Sequence, residues 1–337
     1  MNHTWQDFLQ NQNAVIENDS VAHFGNSAAE LEHTQTGAIV VDLSQLGVIR
    51  FSGEDAESFL QGQLTCDVNN VSDKLMQVGS YCTPKGRVLA SFYLWKERDE
   101  YMMQLPIELC ESIQKRLSMF IMRAKVKLTD ESDSLVRVGF AGSGSAAVVE
   151  TLKGDSSLLS VISHAQDRIE LITTPEKAPV IWARLTEHAK PVGAACWDWL
   201  VVRSGVPVIL PATQDLFIPQ MVNLDIIEGV SFKKGCYPGQ EIVARTHYLG
   251  KIKRRMYLAN IQTAEPVVAG DELYSADMVE QSCGKIVNAV PSPNGGIDVL
   301  AVMQVSSVES EDVYCKQSGG SRLEIIQLPY ASAPIVF

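Results

Sequence analysis

Apolar positions along the chain change their spacing several times, and each change marks a different element. Ala38–Leu43 and Gly47–Phe51 are short, nearly continuous apolar runs on either side of a turn at Gln45, and they read as strands. Ser52, with Asp55 three residues on, reads as a capped start of a helix over Glu54–Gln61 that stops at Gly62. Leu75–Cys82 and Val88–Trp95 form an expected hairpin around Pro84-Lys85-Gly86, and Tyr101–Leu105 adds a strand. Behind Pro106, the residues Ile107, Cys110, Ile113, Leu117 and Phe120 recur at helical spacing towards Met122. Leu135–Phe140 reads as a strand and Gly144–Leu152 as a helix, followed by shorter apolar pieces at Ile169–Ile172 and Val180–Trp182. A helix near Ala195–Arg203 ends at Gly205, and Pro207, Pro211 and Pro219 punctuate a long irregular connection.

From Lys253 the texture changes to short alternating stretches: Arg255–Ile261, Glu272–Tyr274, Gly284–Ala289, Asp298–Val305 and Leu323–Gln327. Turn residues such as Asn294-Gly295-Gly296 separate them, so a small β-barrel or sandwich is expected at the C-terminal end. The first 35 residues are polar, acidic and weakly periodic, and read as a tail with at most a short helix at Trp5–Leu9. The mixed order of elements makes the fold class α+β.

A length of 337 residues suits two or three domains rather than one core. With 46% hydrophobic and 20% charged residues the chain is globular in composition. No apolar run approaches the ~20 residues of a membrane span. No Lys or Arg precedes Arg50, so the basic start of a secretory signal is missing and a cytoplasmic location is expected. The seven cysteines are odd in number and include no CxxC pair, which argues against a disulfide framework and against a zinc ribbon. The histidines do not cluster, and no metal site is expected. Gly142-Ser143-Gly144 is better explained as a tight strand–helix turn than as a dinucleotide fingerprint.

The net charge of −12 argues against a protein that coats DNA. Between Lys233 and Arg255, however, seven Lys or Arg face a single Glu241, giving +6 locally and leaving −18 for the rest. Such a patch suits a small anionic ligand or a phosphate-bearing partner.

Within that patch lies the run KKGCYPGQE, Lys233 to Glu241. Gly235, Pro238 and Gly239 place Cys236 on a tight, exposed turn. Lys233 and Lys234 upstream, and a helix starting near Gly239, create the electropositive setting that reactive cysteines favour. Gln240 and Glu241 would then occupy the helix's first turn.

Lys234-Gly235-Cys236-Tyr237, with Gly239-Gln240-Glu241, resembles the signature of the YgfZ-type folate-binding proteins, a branch of the glycine-cleavage T-protein superfamily. Phe217-Ile218-Pro219-Gln220 and Asn223 upstream, and Ala244-Arg245 downstream, are similar too. So are Gln61-Gly62-Gln63 with Thr65 and Asp67, and the Lys85-Gly86 turn. The resemblance implies a three-domain arrangement around a central hole. After a polar segment 1–35, residues 36–130 and 190–248 would form a split folate-binding α+β domain. Residues 131–189 would be a small insert and 249–330 an antiparallel β-barrel.

The resemblance also implies a folate cofactor and a helper role in tRNA modification, notably thiolation, and in maintaining iron–sulfur enzymes. Those enzymes would be indirect partners, with tRNA itself a further candidate. Cys236 is then the key thiol, with Lys234 and Glu241 beside it. Trp197, Leu46, Arg245, Gln240 and Tyr237 become candidate folate contacts. Leu46 departs from the family, which has a second tryptophan there. Ala90 and Ser91 stand where T-proteins carry an acidic pair, so aminomethyl transfer is not expected and no turnover is implied. Two other readings stay open: a folate-dependent one-carbon transferase or demethylase, and a direct tRNA-binding module using residues 251–255.

Overall fold

Strand alternation and the turn glycines sort most of the chain into three sheets in a computed structural model that describes residues 1–72, 76–152, 157–164, 167–278, 281–310 and 312–330. The first sheet orders its strands as Leu158–His164, Arg168–Thr173, Val136–Ala141, Ile39–Asp42 and Lys190–Val192. The last of these runs parallel to Ile39–Asp42, and the other pairings are antiparallel. The second sheet is Gln77–Cys82, Val88–Glu97, Glu100–Pro106, Leu46–Ser52 and Lys127–Asp130. The helix Ile107–Ser118 covers one face of it, burying Leu109, Cys110, Ile113 and Leu117. Leu75, the expected first residue of the hairpin, lies outside the described residues.

The third sheet corrects the expected barrel. Its order is Val313–Cys315, Glu272–Ser275, Gly284–Pro291, Ile297–Gln304, Arg254–Ile261 and Leu323–Ile326. Among the described residues the two end strands share only an isolated bridge, Tyr314 to Arg322, and no continuous ladder. The sheet is therefore an open, curled half-barrel. The alternating stretches marked the strands, but alternation carries no information on closure.

Residues 1–35 also differ from the expected tail. They form helices His3–Asn11 and Ser27–Thr34 with a hairpin, Val15–Glu17 and Ser20–His23, between them. Trp5 and Leu9 are buried, Trp5 packs edge-on against Trp182, and its indole donates to Asp42 at 2.7 Å. A few large apolar anchors hold this polar segment down. Val180–Trp182, expected only as a short apolar piece, belongs to a helix, Ala178–Thr186. The helix after Ser52 starts at Ala56, because Ser52 is still the last residue of its strand and Asp55 forms no side-chain cap.

Long-range bonds tie early and late parts of the chain together. The Thr65 hydroxyl donates to the Gly229 carbonyl at 2.7 Å, and the Ser231 amide donates to the Thr65 carbonyl at 2.8 Å. The helix Ala194–Arg203 buries Cys196, Trp197 and Trp199, and the Trp199 indole donates to Asp298 of the third sheet at 2.8 Å. Among the described residues no helix is long and apolar enough to cross a membrane.

Candidate functional site

The signature run folds as a turn leading into a helix. Gly239 adopts φ +84 and caps the helix Gln240–Tyr248, where an L side chain would be strained. A Cβ at Gly239 would lie 2.5 Å from the Thr83 carbonyl oxygen and 2.6 Å from Gly86 Cα. The Lys85-Gly86 turn and the signature loop, separate in sequence, thus touch backbone to backbone. Gln220 fixes the helix from below by donating to the Val243 carbonyl at 2.7 Å.

Cys236 is exposed and is a free thiol, whereas the other six cysteines are buried. Lys233, Glu241 and Arg245 are exposed, Gln240 is half-buried, and Tyr237 is buried. Lys234 turns inward: its Nζ donates to the carbonyls of Leu64 at 2.5 Å and Cys66 at 2.8 Å and lies 5.3 Å from the Tyr237 ring centre. Burial pulls its pKa down to about 8, against the opposing influence of Cys66 and Asp67. Lys234 is thus an anchor of the loop. The basic cluster 251–255 is also thinner than its sequence suggests. Arg255 is 8% exposed and forks onto Asp225, at 2.7 and 3.0 Å, and Arg254 is half-buried, leaving Lys251 and Lys253 as the exposed cations of that stretch.

A cleft opens between the first two sheets and the helix Ala194–Arg203. Its inner part, of about 60 Å³, has apolar walls at Leu46, Val78, Phe92 and Trp197. An outer chamber of about 390 Å³, sharing Val78, Tyr93, His164, Arg168 and Val206, leads in past Met76, Ile227 and Tyr330. Leu46 and Trp197, expected as cofactor contacts, both line the cleft; Lys234, Cys236, Tyr237, Gln240, Glu241 and Arg245 do not.

The polar floor was not foreseen. Arg168 and Glu170 sit two apart on one strand and so share a face, and His164 lies directly opposite Arg168. Gly139 pairs with Glu170, and its missing side chain leaves room for the Trp197 ring. The Arg168 guanidinium lies over that ring, 5.5 Å from its centre. Glu170 accepts from Gln104 Nε2 at 2.8 Å, which links the two sheets, and meets His164 Nε2 at 2.7 Å. Burial works to raise the Glu170 carboxyl, but His164, Gln104 and Arg168 together bring it below its ordinary value. Tyr93 packs edge-on against His164. Arg168 Nε and Nη1 and Gln104 Oε1 are buried without a hydrogen-bond partner among the described residues. Two charges at strand spacing in the run Arg168-Ile169-Glu170 were the available sequence signal.

Ala90 and Ser91 are both buried, and Ser91 is occupied structurally. Its hydroxyl donates to the Pro207 carbonyl and accepts from the Ile209 amide, so neither position supplies a carboxylate.

Residues 6–166 match the family model described as the GCVT N-terminal domain. The chain is 32% identical over 272 residues to the tRNA-modifying protein YgfZ of Colwellia psychrerythraea, covering 77% of this chain and 80% of that one. The chain belongs to the YgfZ family. Its fold is also that of the glycine cleavage system aminomethyltransferase T from Bartonella henselae, with a TM-score of 0.75, 98% of each chain covered and 15% identity. YgfZ membership, taken with the missing carboxylates at Ala90 and Ser91, separates this chain from the aminomethyltransferases of the same fold.

Proposed function

We propose that this YgfZ-family chain binds a reduced folate in the cleft and serves as a helper in tRNA modification, without aminomethyl transfer. The observation that carries the reading is the cleft itself. It combines ring walls at Phe92 and Trp197 and an aliphatic one at Leu46 with buried donors and an acceptor on its floor that are unpaired among the described residues. A folate ring has an apolar face and a polar edge, and the lining fits both. Ligand pockets commonly pair apolar walls with a few placed polar groups. The tRNA connection is supported by the Colwellia relative, a tRNA-modifying protein. Cys236 is the exposed thiol that would carry the thiolation step or the support of iron–sulfur enzymes, apart from the cleft.

Calorimetric titration with tetrahydrofolate tests the binding role. Wild type is expected to bind, and Trp197→Ala to bind weakly. No heat of binding in the wild type would remove the folate reading. The thiol role is tested separately in a deletion strain: Cys236→Ala should fail to restore tRNA thiolation, and full restoration would sink it.

A second reading, direct contact with tRNA, is favoured by one observation. Phe232 stacks on His247 at 3.7 Å, His247 meets Tyr248 edge-on, and Tyr248 is exposed, as are Lys251 and Lys253 shortly after it in the chain. Aromatic rings among cations are the ordinary platform for unpaired bases. Gel shifts with tRNA should weaken steeply with salt and on Tyr248→Ala. Binding that ignores both would count against it.

A further inference from the structure

Two buried side chains of opposite hydrogen-bonding sense line the cleft with nothing to bond. Arg168 is 2% exposed, and its Nε and Nη1 have no acceptor among the described residues. Gln104 is 2% exposed, and its Oε1 has no donor among them. Orphaned buried polar atoms are uncommon in folded proteins and call for an explanation.

The chemistry fixes which atom is which. Arginine donates only. Gln104 Nε2 lies 2.8 Å from Glu170 Oε2, and an ionised carboxylate only accepts. The remaining amide atom of Gln104 is therefore its oxygen. Glu170 fixes the Gln104 amide, Trp197 backs the guanidinium, and no Arg168–Glu170 hydrogen bond forms among the described residues. Donor and acceptor are held in place but left unused.

We propose that Arg168 and Gln104 together read a lactam edge, a ring carbonyl beside a ring N–H, as on the 4-oxo side of a pterin. The carbonyl accepts from Arg168 and the N–H donates to Gln104 Oε1. This assignment rests on the folate reading above and makes it more specific, because it selects by hydrogen-bonding sense as well as by shape. A 4-amino pterin reverses both groups: an amine donor faces Arg168, and a ring nitrogen lone pair faces the Gln104 oxygen.

The test is calorimetric titration of the full chain with tetrahydrofolate and with 4-amino-4-deoxytetrahydrofolate, which differ in that edge alone. Wild type is expected to bind the 4-oxo ligand at least ~100-fold tighter, since a site built on hydrogen bonds rejects a ligand that leaves them unmade. R168M and Q104M should each weaken tetrahydrofolate binding and reduce the preference to under ~10-fold. Thermal unfolding shows that each variant is folded. Should R168M fail to fold, R168K, which keeps the charge without the planar fork, should show the same loss of preference. Equal binding of the two ligands by wild type overturns the assignment, as does a folded R168M, R168K or Q104M that keeps the full preference. A wild type that binds neither ligand removes the folate reading and this assignment with it, an outcome distinct from equal binding of both.

Discussion

Lys234 donates its ammonium to the main-chain carbonyl of Cys66, 2.8 Å away and 168 residues earlier in the chain. Its second bond, to Leu64, makes it a clamp between the signature loop and the segment after the helix Ala56–Gln61. Lys234→Met should cost about 1–3 kcal/mol in urea unfolding, since two buried carbonyls lose a charged donor. Cys236→Ser, at an exposed position, should unfold within about 0.5 kcal/mol of wild type. A stability loss at Cys236 matching that at Lys234 would mean that the cysteine is structural.

Gly239→Ala should be among the most damaging single substitutions in the loop. The added methyl would sit 2.5 Å from the Thr83 carbonyl oxygen, at a φ that L residues resist. A loss above about 2 kcal/mol is expected. Because backbone blocks the methyl, relaxation must move the Lys85-Gly86 turn, and hydrogen exchange of the Gly86 amide should rise.

The basic residues at 251–255 should divide into two classes. Arg255→Ala strands Asp225 in a buried position and should cost about 3–5 kcal/mol. Lys251→Ala and Lys253→Ala should leave thermal stability unchanged while reducing any salt-sensitive tRNA affinity. Equal destabilisation by all three would contradict this division.

Asp198 lines the cleft and accepts from Gln45 at 3.4 Å, and burial pushes its pKa up to about 6. The folded state holds this proton more tightly than the unfolded chain, whose Asp titrates near 3.8. The associated stability is therefore fully present below pH 4 and is lost as pH rises through 6. Asp198→Asn should be more stable than wild type at pH 7.5 by about 1–2 kcal/mol, and the two should converge near pH 4. Urea denaturation at both values checks the crossing.

Sequence legibility followed the range of the interactions involved. The helix Ile107–Ser118 was readable because Cys110, Ile113 and Leu117 repeat on one face, and the helix after Gly239 because a turn glycine announces it. Leu158–His164 was not read, because its burial alternates but its polarity does not: Ser160 and His164 face inward while Leu159 and Val161 are exposed. The N-terminal helices were underestimated because three or four anchors, Trp5 and Leu9 among them, do the work of a whole apolar stripe. In the candidate site, Trp197 and Leu46 came from a resemblance, and the structure puts both on the cleft wall. His164, Arg168 and Glu170 were missed because the strand Leu158–His164, which pairs with Arg168–Thr173, was not read, and Gln104 because it joins them only when the second sheet faces the first. Lys234 was expected to act on Cys236 or on a ligand. Nothing local in sequence could reveal that its partners are carbonyls 168 and 170 residues away.

The strand Ile39–Asp42 has as neighbours Val136–Ala141 on one side and Lys190–Val192 on the other. Ile39, Val40 and Val41 end fully covered, yet both covering strands are made much later. At usual ribosomal speeds roughly 10–30 s separate the first strand from the last. During synthesis this apolar segment waits without its strand partners, open to wrong pairings until residue 192 has been made.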